Sequence, residues 1–445
     1  MKNKDDRNKL TSFQVIILGF IAVILIGALL LMLPVSSREG RITSFSDALF
    51  TSTSAVCVTG LVVRDTASYW SAFGQAVLLI LIQIGGLGVV SVASFAVMLS
   101  GKKISLSQRQ TLQNAVSAPN VGGILRLLGF IFKGSLIVEA IGALLLLPVF
   151  IPALGPKGIW YSVFHSISAF CNAGFDLNGN VTGEYSSLTG YLGNMYLTVV
   201  IVLLITLGGL GFLTWKDFIA HRLRFKEYRM QSKVIIITSF ILVVIPFTVF
   251  FFLDFNNLPM GERLSAALFH AVTPRTAGFN MVDFSTMTHG GIAITMVLML
   301  IGGSPGSTAG GMKTTTFAVI VGNTLSTIKR RDNANFFRRR IGDDIVKSAS
   351  ALLFLYVSLS VVGAIIISEC EGVSMGDALF ETISAIGTVG LSLGITPTLN
   401  IISRLVLIFL MFFGRVGGLT IIYAAFSKRD TYNSKFPMEN IAVGC

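Results

Sequence analysis

The sequence predicts an all-α integral membrane protein in which four repeats of helix, half-helix and helix surround a central pore. Of its 445 residues, 53% are hydrophobic and only 13% are charged. The mean hydropathy is +0.77, and the charge-free runs between Lys9 and Arg38 and between Asp65 and Lys102 cover 28 and 36 residues. One bilayer crossing needs about 20 apolar residues. A short pattern also recurs four times along the chain. Soluble enzymes, nucleic-acid-binding proteins and disulfide-rich secreted domains are therefore excluded.

The apolar stretches predict eight transmembrane spans. The first, between Lys9 and Arg38, is too long for a signal-peptide core and is expected to be retained. The third is interrupted by Lys133 and Glu139. The others fall within the following ranges: 66–101, 123–152 (the third), 185–215, 234–253, 285–325, 347–369 and 401–427.

An even number of spans places both termini on one side of the membrane, and the basic residues indicate which side. Segments 1–9, 102–109, 216–233, 329–347 and 428–435 hold 23 of the 34 Lys and Arg residues, so they are expected to be cytoplasmic. The opposite loops hold about 12 of the 22 acidic residues, and an acidic mouth concentrates cations. The dense basic stretch 329–340 fits topology alone, although lipid head groups or an acidic partner protein are alternatives.

The recurring pattern lies between each pair of spans, on the predicted outer side. Each copy has a phenylalanine, a hydroxyl residue four positions later, and a glycine followed by an apolar residue nine or ten positions later. The copies are Phe50, Ser54 and Gly60; Phe164, Ser168 and Gly174; Phe269, Thr273 and Gly278; Phe380, Ser384 and Gly390. Four copies in register predict an internal fourfold repeat.

Each copy predicts a half-helix that enters the membrane and stops. Ten residues of helix before the glycine span about 15 Å, half the hydrocarbon thickness. The loop that follows is admissible at this depth only inside protein or beside water. Four such loops around one axis would direct backbone carbonyls and the negative ends of four helix dipoles at a partly dehydrated cation. The alternative is that each glycine is an ordinary turn residue. The third copy carries Pro274 and Arg275, and Arg275 is expected to brace the loop from behind, with a carboxylate as a candidate partner.

The second span of each repeat carries a glycine-rich signature. These signatures begin at Gly85, Gly208, Gly302 and Gly414, and close helix packing explains them equally well. Arg415 stands where the other copies have glycine, so it is expected to act as an electrostatic barrier, the alternative being a structural ion pair. The third signature continues through Thr316 with five glycines and a proline, so this helix must break. The break predicts a gate below the loops, the alternative being a static kink.

The repeats divide the chain into four predicted units and a tail. Their ranges are 1–120 with a pore loop near 45–61, 121–233 with a loop near 159–175, 234–345 with a loop near 262–279 and a broken inner helix at 302–316, 346–427 with a loop near 374–391, and a cytoplasmic tail at 428–445.

The four loop glycines, the broken helix and the segment around Arg415 together resemble the Trk/Ktr/HKT superfamily of potassium transporters over nearly the whole chain. Eight spans starting almost at the N-terminus are similar to the bacterial Ktr membrane subunits, the KtrB type. The resemblance implies potassium uptake across the bacterial cell membrane, often stimulated by sodium. It implies membrane subunits that pair as homodimers on a cytoplasmic ring of nucleotide-binding, KtrA-like regulatory subunits, where ATP and ADP bind. No covalent cofactor is expected.

The resemblance also implies roles for individual residues. The selectivity glycines correspond to Gly60, Gly174, Gly278 and Gly390, and potassium is favoured because sodium-preferring relatives replace the first glycine with serine. The ion-binding filter is expected to comprise Val58, Thr59, Gly60, Asn172, Ala173, Gly174, Thr276, Ala277, Gly278, Thr388, Val389 and Gly390. The gate is expected to comprise Gly302, Gly303, Ser304, Pro305, Gly306, Ser307, Thr308, Ala309, Gly310, Gly311, Met312, Lys313 and Arg415.

Three other functions compete with potassium uptake. A sodium-coupled symporter of another solute also uses discontinuous helices, but many such transporters have inverted halves rather than four parallel units. A less selective sodium and potassium transporter is a second alternative. A membrane enzyme is disfavoured because the four histidines form no HExxH or paired-carboxylate motif, and His165 and His270 directly follow repeat phenylalanines, as packing residues would.

Overall fold

The computed structural model describes residues 11–101, 104–116, 120–331 and 333–425. The predicted tail 428–445 and the basic segments 1–9 and 428–435 lie outside these ranges. The helices within them are α1 (Ser12–Met32), α2 (Phe45–Cys57), α3 (Ala72–Leu87), α4 (Val89–Leu99), α5 (Leu106–Ala115), α6 (Ile124–Leu154), α7 (Lys157–Cys171), α8 (Met195–Gly209), α9 (Phe212–His221), α10 (Met230–Val249), α11 (Met260–Val272), α12 (His289–Leu300), α13 (Thr314–Ile328), α14 (Asp343–Glu371), α15 (Met375–Gly387), α16 (Ile401–Val416) and α17 (Gly418–Ala425). A hairpin of β1 (Asn335–Phe336) and β2 (Arg339–Arg340) links α13 to α14.

Four outer helices, α1, α6, α10 and α14, are each long and apolar enough to cross a membrane. α1 begins with a capping box formed by Thr11 and Gln14, which satisfies backbone N–H groups at its first turn. α10 continues into a π-helical turn at Phe250–Asp254. These helices correspond to the first, third, fifth and seventh predicted spans.

The four inner spans are interrupted. α3 with α4, and α8 with α9, meet the criteria for a span only as bent pairs, with bends of 96° and 99°. The other two inner spans, α12 with α13 and α16 with α17, consist of shorter helices that do not meet the criteria. By length and composition alone, the described residues therefore contain four spans, or six if each bent pair is one span, against the eight that the sequence predicts. In the first, second and fourth inner spans the two helices are separated at Gly88, Gly211 and Gly417, the last glycines of their signatures, whose φ values are 86°, 85° and 93°. Positive φ ends an α-helix, and glycine adopts it at little cost.

The packing closes a ring of four repeats. Each half-helix, α2, α7, α11 or α15, packs against the outer helix that precedes it: α1, α6, α10 or α14. Each inner helix also packs against the half-helix of the next repeat: α3 on α7, α8 on α11, α12 on α15, and α16 back on α2. This cyclic arrangement is the predicted pseudo-fourfold fold.

Small residues allow the half-helices to lie close to their neighbours. A Cβ added to Gly85, Gly208 or Gly414 would lie within about 2 Å of the carbonyl oxygen of Val56, Phe170 or Ile386 respectively. The glycines of the inner signatures therefore have the packing role that the sequence left open beside a functional one.

Candidate ion-binding site

The half-helices deliver four loops to the centre of the ring. The half-helices are 13, 15, 13 and 13 residues long, somewhat longer than the ten residues that the pattern predicts. Three of them end three residues before the loop glycine. The third ends at Val272, six residues before Gly278, because Pro274 and the shorter spacing place an extra turn there. The third loop therefore differs from the other three, as the sequence predicts.

The loop backbones share an alternation of φ. The residue two positions before each glycine has a positive φ: Val58 55°, Asn172 59°, Thr276 74° and Thr388 51°. The glycines are also positive, at 96°, 69°, 80° and 91°, whereas the residues between are not. Positive φ is unfavourable for β-branched residues such as valine and threonine, and such strain concentrates at functional sites.

The hydroxyl residue of each repeat anchors its loop. The backbone carbonyls of Ser54, Ser168, Thr273 and Ser384 each accept the N–H of the residue before the glycine, at 2.8 to 2.9 Å. In the first and fourth repeats the serine hydroxyl also accepts the glycine N–H, at 3.1 Å. In the second and third repeats the hydroxyl instead donates to the carbonyl of Phe175 or Phe279, at 2.7 and 2.5 Å.

The four loops meet in a closed ring of backbone contacts. A Cβ added to Gly60 would lie 2.6 Å from the carbonyl oxygen of Ala173 in the second loop. At Gly174 it would lie 2.9 Å from that of Ala277, at Gly278 2.4 Å from that of Val389, and at Gly390 2.1 Å from that of Thr59. Each loop thus presents a carbonyl oxygen beside the glycine of its neighbour, and no side chain fits between them. Eight of the twelve predicted filter residues make these contacts, namely Thr59, Gly60, Ala173, Gly174, Ala277, Gly278, Val389 and Gly390.

Two hydroxyl groups of the loop residues, those of Thr59 and Thr388, are fully buried and have no hydrogen-bond partner among the described residues. That of Thr388 faces Gly310, between α12 and α13. A buried hydroxyl oxygen without a partner is costly unless a ligand satisfies it. Hydroxyl and carbonyl oxygens are the ligands that coordinate monovalent cations in selective pores.

The break that the sequence predicts over 302–316 is shorter in the structure, because α13 begins at Thr314. It is the stretch 302–313, between α12 and α13. Residues 302–304 and 308–312 are buried, and 305–307 are half-buried. The stretch returns on itself, since Gly302 N–H donates to the carbonyl of Met312 at 2.8 Å. It is also attached to the second repeat, where Ser304 N–H donates to the carbonyl of Gly209 at 2.9 Å and Thr308 Oγ1 to that of Phe170 at 2.9 Å. Lys313 Nζ donates to the carbonyl of Ala309 at 2.8 Å.

Arg415 joins this stretch to the first and fourth repeats. Its guanidinium donates to the carbonyl oxygens of Thr308, Gly85 and Gly86, the last at 3.1 Å. Gly85 and Gly86 lie in the last turn of α3, whose carbonyls carry the negative end of the helix dipole. The positive charge is thus held by carbonyl oxygens, and no carboxylate among the described residues forms an ion pair with it.

Arg275 lies behind the third loop, as expected. Its guanidinium donates to Ser239 Oγ of α10 at 3.0 Å. Its partner is therefore a serine, and the carboxylate that the sequence suggested as a candidate partner is not the group it contacts.

Cavities lie on both sides of the ring. One of about 650 Å³ is lined by the four loop glycines together with Asp65, Asp176, Glu184 and Asp283. Burial raises the pKa of Asp176 to about 7, and the neighbouring Asp65 adds to the effect. The second cavity, of about 300 Å³, is lined by parts of the 302–313 stretch, with Lys313 and Arg415. An acidic cavity and a basic cavity are therefore separated by the loops and this stretch.

A polar contact that the sequence did not predict lies behind the second loop. Gln83 Nε2 donates to both carboxyl oxygens of Glu139, at 2.9 and 3.1 Å, and Cys171 Sγ contacts Gln83 Oε1 at 3.6 Å. Glu139 was only an interruption of an apolar stretch in the sequence. A lone carboxyl group at membrane depth was the available signal, since such groups require a polar partner.

Comparison with known proteins gives consistent results. The family TrkH, described as cation transport protein, matches residues 2–435. The potassium/sodium uptake protein NtpJ of Enterococcus hirae is 41% identical, covering 98% of each chain. The Ktr system potassium uptake protein B of Bacillus subtilis is 38% identical, covering 98% of this chain and 97% of its own. The crystal structure of the potassium transporter TrkH from Vibrio parahaemolyticus has the same fold, with a TM-score of 0.74, 18% identity, and coverage of 95% of this chain and 86% of the other.

Proposed function

The chain belongs to the TrkH family of cation transport proteins, and from that premise we propose that it takes up potassium through the path between its four loops. The family is one of transporters, which removes the membrane enzyme from consideration. The closed ring of loop carbonyls and glycines carries the proposal, because it offers oxygen atoms from four directions to one dehydrated ion. Relatives that are 41% and 38% identical are named for potassium uptake.

The ion ligands in this proposal are the twelve residues 58–60, 172–174, 276–278 and 388–390. Their support is the shared φ alternation, the anchoring by the four hydroxyl residues and the unpartnered hydroxyls of Thr59 and Thr388. Each of the four repeats, with the proposed bounds 1–120, 121–233, 234–345 and 346–427, contributes one loop. The cation enters from the acidic cavity, where carboxylates raise its local concentration.

The stretch 302–313 is the gate in this proposal. Arg415 holds the gate closed through its hydrogen bonds, and its positive charge is a barrier to cations. The support is that Arg415 contacts the carbonyl of Thr308 in the stretch and also the end of α3. Opening would require these contacts to exchange for water, and a displaced stretch would join the two cavities.

The regulatory assembly is proposed from the family resemblance and the Ktr relatives. The membrane subunit forms a homodimer, both termini face the cytoplasm of a bacterial cell, and a cytoplasmic ring of KtrA-like subunits that bind ATP or ADP controls the gate. Support comes from the basic segments assigned to the cytoplasmic side and from relatives named as parts of a Ktr system. Light scattering in detergent should give twice the chain mass of 47.8 kDa.

A second candidate is transport of both sodium and potassium. The observation that favours it is the name of one relative, a potassium/sodium uptake protein. Sodium would then be carried or would stimulate potassium uptake. Uptake of labelled rubidium at a series of sodium concentrations separates these roles, because a carried ion competes and an activator accelerates.

Complementation of a potassium-uptake-deficient bacterium at low external potassium tests the main proposal. The unmodified protein should restore growth, and Gly60→Asp or Gly278→Asp should abolish it, since a carboxylate cannot fit between the loops. Gly261→Asp is the control, because Gly261 is exposed at the start of α11 with no atom within 4 Å of an added Cβ. Growth supported equally by the Gly60 and Gly278 variants would contradict the proposal.

A further inference from the structure

One position in the half-helices has no role in the function described so far. The residue directly after each repeat phenylalanine is Thr51, His165, His270 or Glu381, and all four side chains are 0% exposed. The sequence predicted only a packing role for the two histidines. Three of the four positions carry a side chain that is expensive to bury without polar partners.

The histidines reach a backbone amide twelve residues further along the chain. Leu177 N–H points to His165 Nε2 at 3.5 Å, and Asn178 Nδ2 lies 3.3 Å from the same nitrogen. In the third repeat Val282 N–H donates to His270 Nε2 at 3.2 Å. A ring nitrogen that accepts is unprotonated, so the proton of each neutral imidazole is on Nδ1. His165 Nδ1 donates it to the carbonyl of Tyr161 at 2.8 Å.

Glu381 makes the corresponding contacts in the fourth repeat. Its carboxyl group interacts with the backbone N–H of Leu393, again twelve residues along. It also accepts the hydroxyl of Thr396 at 2.9 Å and that of Ser392. Ser392 Oγ in turn accepts the N–H of Gly394 at 2.9 Å. The carboxyl group therefore holds the chain from residue 392 to residue 396.

The braced segments are the ones that leave the loop glycines. Leu177 and Leu393 lie three residues after Gly174 and Gly390, and Val282 lies four after Gly278. Val282, Ser392, Leu393 and Thr396 line the acidic cavity. A displacement of any of these segments would move the adjacent glycine and its carbonyl neighbour.

The first repeat lacks this brace. The side chain of Thr51 is short, and its hydroxyl has no hydrogen-bond partner among the described residues. The residue twelve positions further along is Val63. Its carbonyl instead accepts a hydrogen bond from the hydroxyl of Tyr185, a residue of the second repeat, at 3.4 Å. Thr51 therefore occupies the equivalent position without the equivalent contact.

We propose that His165, His270 and Glu381 are positioning residues that fix the outer ends of three loops, and that the Glu381, Ser392 and Thr396 cluster sets cation discrimination at the fourth loop. The proposal rests on the function proposed above. It assigns to these side chains an effect on ion affinity and selectivity, which burial alone would not give them. None of the three needs to contact the ion.

Rubidium uptake by proteoliposomes, with potassium and sodium as competitors, tests the proposal. Glu381→Ala should raise the KM for rubidium about tenfold and reduce the preference for potassium over sodium, because hydrogen bonds to a carboxylate are lost. The maximal rate per folded protein should change much less. Glu381→Gln keeps an acceptor oxygen and should restore most of the affinity, as should His270→Gln relative to His270→Ala.

Thr51→Val is the matched control, because it removes a hydroxyl that has no partner at the equivalent buried position. If the Glu381 variants do not yield folded protein, Thr396→Val removes one hydrogen bond of the cluster without burying a new charge, and the same rise in KM is expected. Variants of Glu381 or Thr396 with the affinity and selectivity of Thr51→Val would overturn the proposal. Failure of the proposed function is a separate result, namely no rubidium uptake by the unmodified protein.

Discussion

At the scale of single residues, the loop glycines combine two requirements that a substitution can separate. Gly390 and Gly394 have nearly the same φ, 91° and 97°. A Cβ on Gly390 would lie 2.1 Å from the carbonyl oxygen of Thr59, whereas a Cβ on Gly394 would meet no atom within 4 Å. Alanine therefore has a similar backbone cost at both positions, and only alanine at position 390 also collides with the first loop.

We predict that Gly390→Ala abolishes potassium uptake and that Gly394→Ala does not. The positive φ costs alanine about 1 kcal/mol at either position. At Gly390 the added Cβ collides with backbone atoms of the first loop, so the backbone itself must move, because no flexible side chain is there to move instead. Rubidium uptake and thermal stability of both purified variants measure the difference. Equal uptake by the two variants would mean that the ring of loops is wider than described.

A second prediction at this scale concerns Asp176 and external pH. Because burial raises the pKa of this carboxyl group to about 7, it is mostly ionised at pH 8 and mostly neutral at pH 6. Two unit charges separated by several ångströms of water interact by somewhat less than about 1 kcal/mol, which corresponds to about a threefold change in affinity. The KM for external rubidium should therefore rise about threefold as external pH falls from 8 to 6. Asp176→Asn should show the higher KM at both pH values, and a persistent pH dependence in that variant would assign it to another group.

The residue scale also shows what the sequence could predict. The phenylalanine, hydroxyl and glycine register predicted the four loop glycines, because the spacing is the same in three copies and one residue shorter in the third. It did not predict that the hydroxyls of Ser54 and Ser384 accept a hydrogen bond while those of Ser168 and Thr273 donate one. A hydroxyl group can do either, and the choice depends on how the following loop is oriented.

At the scale of elements, the inner helices are where the sequence was least informative. Hydropathy continues without a charge from Thr66 to Gly101, yet the helix bends by 96° at Gly88. Apolarity is the same on both sides of a bend, so only the glycine marks it, and an isolated glycine predicts a bend weakly. The break at 302–313 was predictable because five glycines and a proline cannot continue a helix.

Arg415 carries the prediction at this scale. Arg415→Lys should raise rubidium uptake, because the three donors of a lysine ammonium lie on one nitrogen and cannot reproduce the planar fork by which Nη1 contacts the 302–313 stretch and Nη2 contacts α3. Shortening the stretch by deletion of 305–307 should act in the same direction. Arg404→Lys is the control on the same helix, α16, since Arg404 pairs with Asp47 at the other end and lysine can keep that ion pair.

The Arg415→Lys variant and the deletion of 305–307 together distinguish a gate from a static kink. A gate predicts higher uptake in both the lysine variant and the deletion, while the unmodified protein and Arg404→Lys remain alike. A static kink predicts unchanged or lower uptake from the deletion, because only packing would be lost. Uptake should be normalised to the amount of folded protein in the liposomes.

At the scale of the whole molecule, the loops are the place where all four repeats meet. The ring of contacts α3 on α7, α8 on α11, α12 on α15 and α16 on α2 closes the fold around them. Asp47 adds an ion pair between the first and fourth repeats, through Arg404 of α16 at 2.5 Å. An ion bound by all four loops would therefore link elements that are far apart in sequence.

We predict that potassium stabilises the entire fold rather than one repeat. A ligand that binds only the folded state stabilises it by RT ln(1 + [L]/Kd), about 2.7 kcal/mol at a hundred times Kd. Thermal unfolding in detergent should shift upward by several degrees in potassium relative to an equal concentration of choline, as one cooperative transition. Gly390→Ala should lose this shift and Gly394→Ala should keep it, because only the first disturbs the ring. A shift confined to part of the transition, or one that persists in Gly390→Ala, would place the bound cation somewhere other than between the four loops.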